Sequence, residues 1–98
     1  MAFVQIIDMH SAKNIDEIRA LDQDWEKATE GKRTLRRSLM CQDRNDPDHY
    51  VVIAFFDSPE AAQVNSDLPE TGEFAERMTK FMDRPPEFVD LDVLEDRS

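Results

Sequence analysis

The chain alternates between short, nearly continuous apolar runs and longer stretches in which apolar residues recur every three or four positions. Phe3-Val4-Gln5-Ile6-Ile7-Asp8-Met9 is short, β-branched and mostly apolar, which predicts a first strand. A helix should follow, because Ile15, Ile18, Leu21, Trp25 and Ala28 recur at helical spacing and form one buried stripe. Asn14 and Glu17 have the spacing of a capping box at its start, and Gly31 offers a left-handed exit at its end. Thr34 to Gln42 reads as a second strand, with Leu35, Leu39 and Cys41 on one parity and Arg37 interrupting them. The turn formers Asp43-Arg44-Asn45-Asp46-Pro47-Asp48 join it as a hairpin to a third strand, His49 to Phe56.

Asp57 or Ser58 caps a second helical region, with Pro59 in its first turn. Asp67-Leu68-Pro69 breaks this region into a piece from Pro59 to about Asn65 and a piece from Glu70 to Met82. The second piece carries Phe74, Met78, Phe81 and Met82 on one face, with Glu73–Arg77 and Glu76–Lys80 as ion pairs four residues apart. Pro85-Pro86 stops it, and Phe88 to Leu94 alternates as a last strand, Val89, Leu91 and Val93 against Asp90 and Asp92.

The resulting order, β-α-β-β-α-β, is the ferredoxin-like α+β arrangement: a four-stranded antiparallel sheet with both helices on one face. The first and third strands lie in the middle of such a sheet, and these are the two nearly continuous apolar runs. Phe55 and Phe56 point to opposite faces, as do Ile6 and Ile7, so the face without helices also carries large apolar groups. Four strands of this length expose roughly 400 Å² there. A second copy packed sheet to sheet is the expected cover, which makes the chain, residues 1–98, a single domain that works as a homodimer.

Charge narrows the partners. With 22 acids against 12 bases, the formal charge of −10 opposes binding to nucleic acid and anionic membranes, and neither is expected as a partner. No apolar run is long enough to span a bilayer, and Met1-Ala2-Phe3-Val4-Gln5 reads as strand rather than leader, so a cytoplasmic location is expected. Cys41, the one cysteine, cannot form an internal disulfide and is expected to be a small core residue.

In strand order, length, its bare two-faced central strands and the segment FFDSPEAAQVNS, the chain resembles the dimeric α+β barrel proteins, and among them the antibiotic biosynthesis monooxygenase-like domains. The stretch NSDLPETGEFAERM is similar to a subset of small bacterial proteins of this kind. The resemblance implies a possible cofactor-independent oxygenase acting on an aromatic or quinol-like molecule between sheet and helices, or else a non-catalytic binding or structural dimer. Haem-degrading relatives carry an Asn on the first strand and a His on the second helix. Here the strand has Gln5 and Asp8, and no His follows Tyr50, so haem is not expected and no cofactor is assigned.

Such an oxygenase needs an apolar pocket and polar groups that help remove a proton and steady an oxyanion. Tyr50, Asn65 and Arg37 are the candidate catalytic residues, Arg37 having a strand parity that should turn it inward; Asn65 could equally cap backbone at the helix break. Trp25 is a candidate for substrate contact, against the plainer reading of a core aromatic. His10 and His49 are the other binding candidates. If Phe3 lies near Phe55, the two imidazoles meet at one sheet end with Asp8, Asp46 and Asp48 nearby, able to bind a divalent ion or shuttle protons, although no metal ligand is assigned on that basis. The basic run Lys32, Arg33, Arg36 and Arg37 could attract a carboxylate or phenolate substrate, but reads chiefly as an offset to neighbouring acids or as a guard of an edge strand against unwanted pairing.

Overall fold

In the computed structural model, which describes residues 2–10 and 12–98, four antiparallel strands form one sheet in the order β2-β3-β1-β4. The elements are β1 (Phe3–Met9), α1 (Ile15–Ala28), β2 (Arg37–Gln42), β3 (Tyr50–Phe56), α2 (Pro59–Asp67), α3 (Pro69–Met78) with a short 3₁₀ turn (Thr79–Phe81), and β4 (Glu87–Asp92). The expected ferredoxin-like order is present, with the two most apolar strands, β1 and β3, in the centre. Among the described residues no helix is long and apolar enough to cross a membrane.

Several boundaries differ from the sequence reading for local reasons. The capping box is not formed: Asn14 adopts a left-handed backbone (φ 55°, ψ 52°) that its side chain tolerates, and its carbonyl, not its side chain, receives the Glu17 and Ile18 N–H groups. Ala28 is exposed and Thr29 is fully buried in its place, so the buried line of α1 runs Ile18, Trp25, Thr29. β2 begins at Arg37 rather than Thr34, because Thr34 turns to α2, where its hydroxyl donates to the Ala61 carbonyl. Ser58 caps α2, its Oγ accepting from Ala61 N–H at 3.0 Å. The break falls at Leu68, held extended before Pro69. Glu73 and Arg77 pair at 3.2 Å, whereas Glu76 and Lys80 do not, since the chain has tightened to 3₁₀ at Thr79.

Register assigns every strand residue to a face. Phe3 pairs with Phe56, Gln5 with Ala54, Ile7 with Val52 and Met9 with Tyr50. These residues share a parity, and buried Phe3, Met9, Ala54 and Phe56 place it against the helices. Two apolar clusters form there. One joins Phe3, Ala54 and Phe56 to Ala62 of α2; the other joins Met9 to Ala12, Ile18 and Met78, with Phe74, Phe81 and Met82 packed around it. The opposite parity, Val4, Ile6, Val51, Ile53 and Phe55 flanked by Leu39, Val89 and Leu91, faces away from the helices. Cys41 belongs to this parity and is exposed, not the core residue expected, because β2 is an edge strand whose open side has no covering element in the single chain.

Candidate functional site

Between the two apolar clusters the helix-side layer is incomplete. Gln5 pairs with Ala54 on one side and Asp90 on the other, and Ala54 pairs with Ser38, so a row of small or polar residues, Ser38-Ala54-Gln5-Asp90, crosses the sheet. Larger residues stand on either side of it: Phe56 and Phe3 in one row, Met40, Val52, Ile7 and Phe88 in another. The helices cannot fill the gap that this row leaves. A cavity of about 310 Å³ results, floored by Gln5, Ser38 and Ala54 and walled by Trp25, Phe74 and Met78. Its volume is at the lower end of the range for small-molecule sites.

Polar groups reach this cavity from three helices. Trp25 of α1 is buried, and its Nε1–H donates to Thr71 Oγ1 of α3 at 2.9 Å, fixing both side chains on the wall. Asn65 of α2 is 7% exposed, and its Oδ1 accepts the Thr34 N–H at 3.3 Å. That bond ties the start of the β2 approach to α2 and orients the amide, whose NH₂ meets no protein acceptor among the described residues. Asn65 thus serves backbone at Thr34 rather than at the helix break, and it lines the cavity.

Asp22 is the residue that sequence reasoning missed. It lies four positions after Ile18 and three before Trp25, squarely on the buried line of α1, and it lines the cavity. Burial pushes its carboxyl pKa above the ordinary value, Glu26 one turn on adds to the rise, and Arg33 opposes it. No hydrogen bond or ion pair engages this carboxylate among the described residues. An acid inside an otherwise apolar helical stripe is the available signal, and it is easily hidden because the flanking apolar residues satisfy the periodicity by themselves.

The other four candidates lie outside the cavity. Tyr50 does face the helices, but it packs against the Met9 cluster and its hydroxyl accepts a hydrogen bond from Gln42 Nε2 at 3.2 Å. Arg37 is turned outward, not inward: it pairs with Phe55 on the open face, where its guanidinium lies 5.7 Å from that ring. The parity argument failed because Leu35 precedes the strand and packs on the helix side while Leu39 faces the open side. Of the rest of the basic run, Lys32 meets Glu70 at 2.6 Å and Arg36 meets Asp57 at 2.7 Å, while Arg33 lies over the Trp25 ring.

His10 and His49 come together at the end of the open face. The Phe3–Phe56 register, one residue from the expected one, sets position 10 opposite position 49. Their rings stack with centroids 4.2 Å apart and planes within 7°. Asp8 Oδ1 lies 2.6 Å from His49 Nε2 and 3.2 Å from His10 Nε2, while Asp43 Oδ2 lies 2.8 Å from His49 Nδ1. Asp43, then Asp8, holds the His49 pKa above its ordinary value by hydrogen bonding, and the Asn45 N–H, then His49, lowers that of Asp43. Asp46 and Asp48 do not join this group; the Asp46 carboxylate accepts the Asp48 N–H and closes the turn.

No protein-family model matches the sequence, and no curated protein matches it in sequence. Solved structures do match in fold. A protein from Nitrosomonas europaea, named provisionally as an antibiotic biosynthesis monooxygenase, superposes with a TM-score of 0.77 at 15% identity over 95% of this chain and 90% of its own. Rv0793 from Mycobacterium tuberculosis gives 0.78 at 16% identity over the whole of both chains. A Caulobacter crescentus protein with the same provisional name gives 0.79 at 12% identity, covering 96% and 92%. At these identities the match establishes a shared fold over nearly the entire chain, the fold of antibiotic biosynthesis monooxygenase-like proteins.

Proposed function

We propose that this chain is a homodimer that takes an aromatic or quinol-like molecule into the cavity between sheet and helices and oxygenates it without a cofactor. One observation carries the reading: the Asp22 carboxylate, unpaired among the described residues and with its pKa raised by burial, faces an apolar cavity large enough for a small ring compound. The provisional names of the structural neighbours support the same reaction class. A cytoplasmic location and a single domain belong to the same reading.

In this proposal Asp22 accepts the acidic proton of a phenol or of the CH₂ beside a carbonyl. Its elevated pKa brings the base nearer to its substrate in proton affinity, and burial, with the nearby carboxylate of Glu26 second, sustains that elevation. Trp25 supplies a flat wall for the ring, held in place by Thr71. Asn65, oriented through Thr34, donates its free amide hydrogens to the enolate oxygen. The carbanion then reduces molecular oxygen directly. One oxygen atom bonds to carbon, the second leaves as water, and a CH₂ group becomes a carbonyl, which balances one O₂ against one carbonyl and one water. Tyr50 and Arg37, outside the cavity, have no part in this scheme.

Oxygen uptake with anthrone and hydroquinol substrates tests it. Saturable uptake by the wild-type chain and a fall of about 10²–10⁴-fold in Asp22→Asn are expected if a general base is lost. Saturable binding of the same compounds with no uptake would instead make the chain a small-molecule-binding dimer.

The partner in the proposed dimer is a second copy. The open parity of the sheet carries Val4, Ile6, Val51, Ile53 and Phe55 across its centre, with Leu39, Val89 and Leu91 still 37%, 47% and 46% exposed at its sides. A surface of that composition at the centre of a sheet is what self-association buries.

A further inference from the structure

Two facts of strand geometry assemble a donor set at the far end of the sheet from Phe3. Asp8 near the end of β1 and His10 in the turn that follows it bring their side chains together, with Asp8 Oδ1 3.2 Å from His10 Nε2. His49 is brought beside them from the neighbouring segment by the β1–β3 register. One ligand atom from each of Asp8, His10 and His49 lies within 4.8 Å of the others. All three side chains are partly open to solvent, at 28%, 32% and 18% exposure, so an ion can reach them.

We propose that Asp8, His10 and His49 form a binding site for a first-row divalent transition ion, with Asp43 as the positioning residue behind His49. Two imidazole nitrogens and one carboxylate suit iron(II), cobalt or zinc and leave open coordination positions for water. The fourth group has the arrangement metal-bound imidazoles favour. Asp43 Oδ2 lies 2.8 Å from His49 Nδ1, the nitrogen that points away from Asp8, and Asp43 is itself fixed by the Asn45 N–H at 2.8 Å. This shell sets the His49 ring so that Nε2 faces the ion. Bond lengths of about 2.0–2.1 Å place tetrahedral ligand atoms roughly 3.3 Å apart. Asp8 Oδ1 already stands 3.2 Å from His10 Nε2, its 2.6 Å approach to His49 Nε2 opens to that distance by a small side-chain rotation, and the exposed His10 ring turns out of its parallel stack on His49 so that both in-plane nitrogen lone pairs meet at one ion. The net charge of −10 adds a long-range attraction for cations.

The site is distinct from the cavity, which lies on the opposite face of the sheet, and its test needs no turnover. The chain, stripped with a chelator, is titrated with Zn²⁺ by calorimetry and with Co²⁺ by visible absorption. One ion per chain is expected, with ligand-field bands of nitrogen-coordinated Co²⁺, and Mg²⁺ in excess should not compete. His10→Ala and His49→Ala should each weaken Zn²⁺ binding by at least tenfold. Asp43→Asn, which keeps all three ligands, should weaken it about 10–100-fold. Glu76→Gln, on α3 and remote from the site, should leave it unchanged, and circular dichroism establishes that each variant is folded. Absence of saturable one-to-one binding overturns the proposal. So does binding that survives the double substitution of both histidines, or that Mg²⁺ displaces as readily as Zn²⁺.

Discussion

Replacing Ile53 by lysine tests whether two sheets pack face to face. Ile53 is central to the open face, paired with Ile6 of β1 on one side and Leu39 of β2 on the other. In the isolated chain its side chain points away from the helices, so a lysine there extends into water and should alter folding stability by no more than about 1 kcal/mol. In a two-fold dimer the same substitution occurs twice near the middle of the interface. Each copy loses part of the burial of an isoleucine, worth up to about 2 kcal/mol, and each ammonium group loses water at an effective penalty of several kcal/mol unless it bends out to the rim. Taking roughly 3 kcal/mol per chain, the dimer loses about 6 kcal/mol, which is near 10⁴-fold in the dissociation constant. Sedimentation velocity at micromolar concentration reads this directly. The wild type should sediment as a dimer and Ile53→Lys as an 11.4 kDa particle with an unchanged circular dichroism spectrum. Val64→Lys, at a 51% exposed position on α2, is the control and should remain dimeric. A wild type that sediments as an 11.4 kDa particle, or an Ile53→Lys chain that dimerises as before, refutes the paired-sheet reading.

The remaining predictions concern the single chain. Because the folded pKa of Asp22 is raised, the folded state holds that proton more tightly than the unfolded chain does; the stabilisation is full below the ordinary carboxyl value and is lost as pH rises through the elevated one. Asp22→Asn should therefore melt above the wild type at neutral pH and level with it near pH 3 in scanning calorimetry; a gain that is the same at both would contradict this. Trp25→Phe removes the donor to Thr71 and should lower stability by about 1 kcal/mol in urea titrations, whereas Trp25→Ala should lower it by about 3–5 kcal/mol through the lost volume. Ser58→Ala removes the acceptor for Ala61 N–H and should reduce stability by about 1 kcal/mol, with Ser58→Asp close to wild type.

The architecture was legible because period and parity are local properties that the fold leaves intact. The apolar runs of β1 and β3 implied large apolar groups on both faces of the sheet, and Phe55 and Phe56 do point to opposite faces. The cavity was not legible, for a reason that register makes plain. Ser38, Ala54, Gln5 and Asp90 are ordinary choices in their own strands, and they become a row only when three pairings are known together. A one-residue slip would have put a valine or isoleucine beneath Trp25 and closed the gap. The same slip separates the expected histidine placement from the observed one, since the register that sets Gln5 beside Ala54 also sets His10 opposite His49.

That shared dependence links the two faces of the sheet. Chemistry on this fold is placed by strand register more than by helices: Asp22 contributes a carboxylate from α1, but the space in front of it exists because Gln5 and Ala54 meet on the floor. One register thus produces an apolar cavity with a carboxyl group at its wall on the helix side and a paired-imidazole cluster at the end of the other side. Arg37 shows the converse. Its parity was read from a leucine, Leu35, that lies before β2 begins, and a strand starting at Arg37 turns its guanidinium to Phe55 and the open face instead of to the cavity. Side chains at the starts of edge strands are therefore the least readable positions in such a sequence, because nothing on the outer side of the strand fixes where pairing starts, whereas those inside the central pair are fixed from both flanks.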